Sequence, residues 1–273
     1  MRMRKKPNLV PRMERCASFL IQDPKGMRGH WRDLKPDAAD VRLELGCGKG
    51  RFTAETAQQH PESLYIAVER VPDAMIIAVE RCQQLGLTNV YFVDGDAALL
   101  REYFAPDEVD LLYINFCDPW PSHKHARRRL THERFLVLYR GILKIGGQIH
   151  FKTDNRDLFE YSLFQFPKAG YALSEVTRDL HKDGICGVMT DYEEKFHKQD
   201  DSVLISGTPE EEKPAIAVKG GSITEGDASA VFTLSGTVPE GSLLLVKQYD
   251  AETTAFTTQT GDCLATGSDV TAG

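Results

Sequence analysis

From Val41 onward, short apolar runs alternate with longer stretches of helical period. "VRLEL", "SLYIAV", "NVYFV", "VDLLYINF" and "GGQIHFKT" read as strands, rich in β-branched and aromatic residues. Between them, "FTAETAQQH", "PDAMIIAVERCQQLG", "HERFLVLYRGIL" and "RDLFEYSLFQF" read as helices, the second with Pro72 in its first turn, where a missing N–H costs nothing. This rhythm predicts a doubly wound α/β domain, a parallel sheet with helices on both faces, whose ligands bind beyond the carboxyl ends of the strands. After Lys198 the helical period is lost. "SGTPEEEKP" has the composition of a linker, and the Thr-, Ser- and Gly-rich runs beyond it predict a β-rich C-terminal extension. "DSVLIS" is the last stretch able to join the main sheet. The expected division is 1–206 and 207–273.

At 273 residues and 41% hydrophobic, the chain can bury one sizeable core with a small second unit. No apolar run reaches the roughly 18 residues of a membrane span, and the basic start lacks the apolar core of a secretory signal, so a cytoplasmic protein with no membrane partner is expected. Six cysteines with no close pairing argue against a disulfide framework or a bound metal. The net charge of -7 is unevenly placed. Residues 1–199 carry 30 Lys and Arg against 28 Asp and Glu, and residues 200–273 carry 3 against 12. The first part is therefore slightly basic, and nucleic acid is admissible as its partner.

Three features place chemistry at the strand ends. "LELGCGKG" sets Gly46, Gly48 and Gly50 in the turn after the first strand, where backbone can approach a ligand closely. Glu44 beside that turn would repel a pyrophosphate but suits a ligand bearing an ammonium and a sulfonium, as S-adenosylmethionine does. Glu69 closes the second strand, where ribose hydroxyls are bound, and Asp96 follows the third, within reach of an adenine amino group. A nicotinamide enzyme would also use Glu69, but would show G-x-G-x-x-G rather than G-x-G-x-G. Asp118 then closes the fourth strand inside "DPWP", a proline-stiffened loop. Directly after it, Lys124, Arg127, Arg128 and Arg129 form a basic run suited either to phosphates or to a solvated helix face.

Together, "LELGCGKG", "NFCDPWPSHKHARRRL", "FKTDNRDLFEYSL" and "MTDYEEKF" resemble the bacterial tRNA (guanine-N(7)-)-methyltransferases, over roughly Arg4 to Phe196. The resemblance implies a Rossmann-like S-adenosylmethionine-dependent methyltransferase acting on tRNA, as a monomer or homodimer. Glu44, Gly46, Gly48, Glu69, Asp96 and Asp118 would hold the cofactor, and Asp118 would also be the catalytic residue. Ser122, Asp154, Thr190, Asp191, Tyr192 and Glu193 would line the guanine site, and Lys124, His125, Arg127, Arg128 and Arg129 would contact RNA. Ser122 stands where many members carry a lysine, and the chain continues past the usual end of the family.

The chemistry fits these residue types. Guanine N7 carries a lone pair and no proton, so it can attack a sulfonium methyl without a general base. The base becomes a cation, and a carboxylate aimed at it gains interaction as the reaction proceeds. Asp154, Asp191 and Glu193 would favour the two donors on the guanine Watson–Crick edge, although Asp154 can equally cap the helix that follows it. Tyr192 is suited either to stacking on an extruded base or to packing. Two rival readings are a dinucleotide-dependent oxidoreductase and a non-catalytic RNA-binding protein.

Overall fold

The structure is a computed structural model, and it describes residues 5–180, 187–196, 203–209, 217–220, 233–235, 244–249 and 259–265. One compact unit spans Met1–Glu210 and a second spans Glu211–Gly273. In the first unit the chain forms α1 (Leu9–Arg15), β1 (Val41–Leu45), α2 (Arg51–Gln59), β2 (Leu64–Glu69), α3 (Pro72–Gln84), β3 (Val90–Asp94), α4 (Leu100–Tyr103), β4 (Val109–Asn115), α5 (Glu133–Arg140), β5 (Leu143–Thr153), α6 (Arg156–Lys168), β6 (Tyr171–Thr177), α7 (Asp191–Phe196) and β7 (Val203–Pro209). The seven strands lie in one sheet, in the order β3-β2-β1-β4-β5-β7-β6.

Strand alternation separates the core into two layers. In β2, Leu64, Ile66 and Val68 point into the core shared with Phe135, Leu136, Phe159 and Trp31. Tyr65 and Ala67, the residues between them, point into the core shared with Phe52, Ala54, Ile76 and Val79 of α2 and α3. A strand buried on both faces has to be apolar at successive positions, which is why "LYIAV" shows no polar alternation.

The first five strands run parallel, as expected, but β7 runs antiparallel to both β5 and β6. The reason is where the chain lies before it. β6 ends at the carboxyl edge of the sheet, where Thr177 pairs with Leu204, and α7 lies at that same edge. Re-entry from there can only run backwards. β7 is thus an interior strand, and the sheet edge falls to β6, which the hydrophobic pattern does not single out. Ser206 to Pro209 belong to β7, so the expected linker loses its first four residues to the sheet, and the compact unit ends at Glu210. The rest of that linker, 210–214, lies outside the described residues.

In the second unit the described residues form two antiparallel ladders. One pairs β8 (Ala217–Gly220) with β9 (Thr233–Ser235), and the other pairs β10 (Leu244–Tyr249) with β11 (Gln259–Ala265). No helix among the described residues is long and apolar enough to cross a membrane.

Candidate active site

The carboxyl ends of β1 to β5 carry the candidate acids, and α7 adds a second group. Glu44 lies in β1, 2% exposed, and its Oε2 accepts from Thr53 Oγ1 at 2.6 Å and Tyr65 Oη at 3.1 Å. Its Oε1 accepts from Asn115 Nδ2 at 3.4 Å. Burial raises this carboxyl's pKa to about 7 despite those three donors, with the nearby Glu69 charge pushing the same way. Asn115 Oδ1 is itself buried without a hydrogen-bond partner. A buried carboxylate beside a buried unpaired carbonyl oxygen forms an acceptor pair that a cationic donor would satisfy. Asn115 was not foreseen from the sequence. Its only signal is the register, which pairs Leu45 with Ile114 and so sets Asn115 alongside the glycine turn.

Gly46, Gly48 and Gly50 have φ of 77°, 58° and 73°, in the left-handed region that glycine occupies at least cost. The three differ in what surrounds them. A Cβ on Gly46 or Gly48 would meet nothing within 4 Å, whereas one on Gly50 would lie 2.2 Å from Ala78 Cβ. The first two keep a face of the turn open. Gly50 lets α2 and α3 pack. Glu69 fastens the turn, its Oε2 accepting from Gly48 N and its Oε1 from Val71 N, both at 2.9 Å. Each oxygen retains a further lone pair. Asp96 is exposed and caps a short 3₁₀ turn by accepting from Ala98 N at 2.8 Å.

Asp118 is exposed, and it makes no hydrogen bond or ion pair among the described residues. Its loop is held in an uncommon backbone conformation. Phe116 and Trp120, two residues to either side, have φ of 49° and 43°, although neither is glycine. Ser122 precedes an exposed 3₁₀ stretch that carries Lys124, His125, Arg127 and Arg128, with Arg128 over the Trp120 ring at 4.9 Å. Arg129 does not share that surface. It is 5% exposed and turned inward, so its guanidinium is withdrawn from the exposed basic run.

The segment Thr190–Glu193 divides in the same way. Thr190 and Glu193 form a capping box for α7, with Glu193 N donating to Thr190 Oγ1 at 3.0 Å and Thr190 N donating to Glu193 Oε2 at 2.8 Å. Glu193 is 0% exposed, with one carboxylate oxygen in the cap of the helix. Asp191 accepts from both terminal nitrogens of Arg81, at 3.1 and 3.0 Å, and from Arg51 N at 3.2 Å, tying α7 to α2 and α3. Tyr192 is the member that remains exposed. Its hydroxyl donates to Asp154 Oδ2 at 2.7 Å, and its ring lies 5.3 Å from that of Phe116. Asp154 and Tyr192 are thereby brought beside the Asp118 loop. The cap of α6 falls to Asn155, whose Oδ1 accepts from Leu158 N, and not to Asp154.

Comparison with known proteins identifies the family. The family model described as "Putative methyltransferase" matches residues 38–205. The chain is 42% identical over 197 residues to the tRNA (guanine-N(7)-)-methyltransferase of Streptococcus suis (strain 05ZYH33), covering 72% of this chain and 93% of that one. It is also 42% identical over 197 residues to the enzyme of that name from Geobacillus kaustophilus (strain HTA426), covering 91% of it. In fold, the first unit resembles the 16S rRNA methyltransferase KamB, with a TM-score of 0.52 at 17% identity over 66% of this chain and 93% of that one. The glycine turn, the acids at the strand ends and the Asp-Pro-Trp-Pro loop are thus those of a chain that belongs to the tRNA (guanine-N(7)-)-methyltransferase family.

Proposed function

We propose that this protein transfers a methyl group from S-adenosylmethionine to N7 of a guanosine in tRNA. The observation that carries the reading is the buried acceptor pair of Glu44 and Asn115 Oδ1, set beside a glycine turn with an open face, in a chain of this family. S-adenosylmethionine brings an activated methyl on a sulfonium, together with an ammonium that such acceptors would bind. Gly46 and Gly48 leave room for its backbone-like chain, and Glu69 has lone pairs left for ribose hydroxyls.

Asp118, exposed beyond the neighbouring strand β4, is available to a base. N7 has no proton to lose, so Asp118 acts by charge, facing a ring that becomes cationic. Asp154, oriented by the Tyr192 hydroxyl, offers its remaining acceptor positions to the guanine donors. The exposed Lys124, Arg127 and Arg128 would bind the phosphates that deliver the base. The test is transfer of labelled methyl to unmodified bulk tRNA, with the product nucleoside identified by mass spectrometry. 7-Methylguanosine is expected, and its absence under saturating cofactor would overturn the reading.

Glu44 adds a prediction about pH. The folded apo protein holds the Glu44 proton up to about pH 7, far above the usual value of 4.5, because of burial. The folded state therefore binds this proton more tightly than the unfolded chain. Glu44's contribution to stability is full below pH 4.5 and is lost as pH rises toward 7. Cofactor affinity has the opposite slope, since an ammonium favours the ionised carboxylate. Between pH 6 and 7.5 the dissociation constant should fall by about five- to tenfold, before the ligand's own amino group titrates near 7.7–8.0. Calorimetric titration across this range checks it. A flat profile for the wild type, or an unchanged slope in Glu44→Gln, would remove Glu44 from the cofactor site.

A further inference from the structure

The geometry points to Arg129 as a positioning residue that fixes the Asp118 loop, and not as a contact to tRNA phosphate. The inference rests on the role of Asp118 proposed above. Arg129 Nε donates to Pro119 O at 2.9 Å and to Trp120 O at 3.3 Å, and Nη2 donates to Trp120 O at 3.0 Å. Its guanidinium lies 4.3 Å over the Tyr161 ring. It has no carboxylate partner among the described residues, so the cation is buried against two main-chain carbonyls and an aromatic face. Burying a charge is costly unless it is hydrogen-bonded, so these bonds to the loop carbonyls are what hold the cation in place. The planar fork matches two neighbouring carbonyls in a way that a lysine cannot.

Those carbonyls belong to the two residues after Asp118, and Trp120 is one of the two left-handed residues that bracket it. A backbone conformation of that kind persists only where surrounding contacts hold it. Arg129 supplies such contacts, and the chain on its other side is anchored to α6. Ser162 Oγ donates to Thr131 Oγ1 at 2.7 Å, and Glu133 N donates to Gln165 Oε1 at 3.0 Å. Position is thereby passed from a rigid helix, through Arg129, to the loop that carries the reacting carboxylate.

The test compares Arg129→Ala and Arg129→Lys with the double variant Arg127→Ala, Arg128→Ala. Loop order is read by acrylamide quenching of tryptophan fluorescence. The chain has two tryptophans, and Trp31 is fully buried, so a change reports on Trp120. Arg129→Ala should raise quenching and lower single-turnover methyl transfer at saturating tRNA by about ten- to a hundredfold. The log–log salt slope of its tRNA binding should stay unchanged. Millimolar guanidinium should restore rate to Arg129→Ala, and sodium chloride at equal ionic strength should not. In the double variant the slope should instead fall by roughly 0.7–0.9 for each lost phosphate contact. If Arg129→Ala does not fold, Arg129→Lys decides, with a slower rate and an intact slope expected. An Arg129 variant that loses salt slope while keeping wild-type rate and quenching overturns the proposal. A wild-type protein that methylates no tRNA would instead sink the proposed function, and the quenching result would still judge Arg129.

Discussion

Replacing Asp118 with Asn should lower the single-turnover rate of methyl transfer by about 10²–10³-fold, the usual consequence of removing one group aimed at developing charge. Asn keeps the shape and removes the charge. Cofactor affinity should change far less than the rate. The guanine ring is neutral when it binds and cationic once N7 has formed its bond to carbon, so a facing carboxylate gains most between those two states. Asp118 is suited to this because it is exposed, unpaired among the described residues and held by a loop whose backbone is locked on both sides. Its carboxylate needs no partner removed before it can act. The measurement is a rapid-mixing methyl-transfer assay with both substrates saturating, alongside calorimetric titration of the cofactor. Equal rates for variant and wild type would remove Asp118 from the chemistry, and a parallel loss of rate and cofactor affinity would make it a cofactor residue only.

Much of this site could be read from the chain, and the parts that could not have identifiable physical causes. Five strands and the acids at their ends followed from apolar runs and glycine turns, because a strand buried on both faces leaves a continuous apolar signature. The reversal of β7 left no such trace, since direction depends on which edge of the sheet the chain re-enters. The run from Lys124 to Arg129 reads as one block of charge. In the structure His123–Arg128 form a 3₁₀ stretch, and Arg129 then becomes extended (φ -62°, ψ 131°), which separates it from the block and turns it inward. Thr190 and Glu193 did carry a legible signal. Their T-x-x-E spacing is that of a capping box, and it competes with any reading of Glu193 as a contact to the base. Asn115 could not have been found by pattern, because an asparagine at a strand end is ordinary until its neighbour across the ladder is known.

The glycine turn offers a contrast between two residues that the sequence makes look equivalent. Gly50→Ala should destabilise the protein strongly, because the new Cβ would lie 2.2 Å from Ala78 Cβ at a residue with φ of 73°. The left-handed backbone costs about 1–2 kcal/mol for a residue with a side chain, and forcing apart a packed helix pair adds about 1–3 kcal/mol. The melting temperature should fall by about 4–20 °C, at roughly 2–4 °C per kcal/mol for a unit of this size. Gly48→Ala meets only the first of these costs, since nothing lies within 4 Å of its Cβ, and its melting temperature should fall by about 2–8 °C. Its effect should appear in cofactor binding, where the added methyl takes up space on the open face of the turn that Glu69 fastens through Gly48 N. Thermal melting of both variants, with and without saturating cofactor, separates the two roles. Added cofactor should recover stability in Gly50→Ala to the same extent as in wild type if the variant folds, and should recover less in Gly48→Ala. If Gly48→Ala binds the cofactor as wild type does, the open face of the turn at Gly48 is not where the ligand lies.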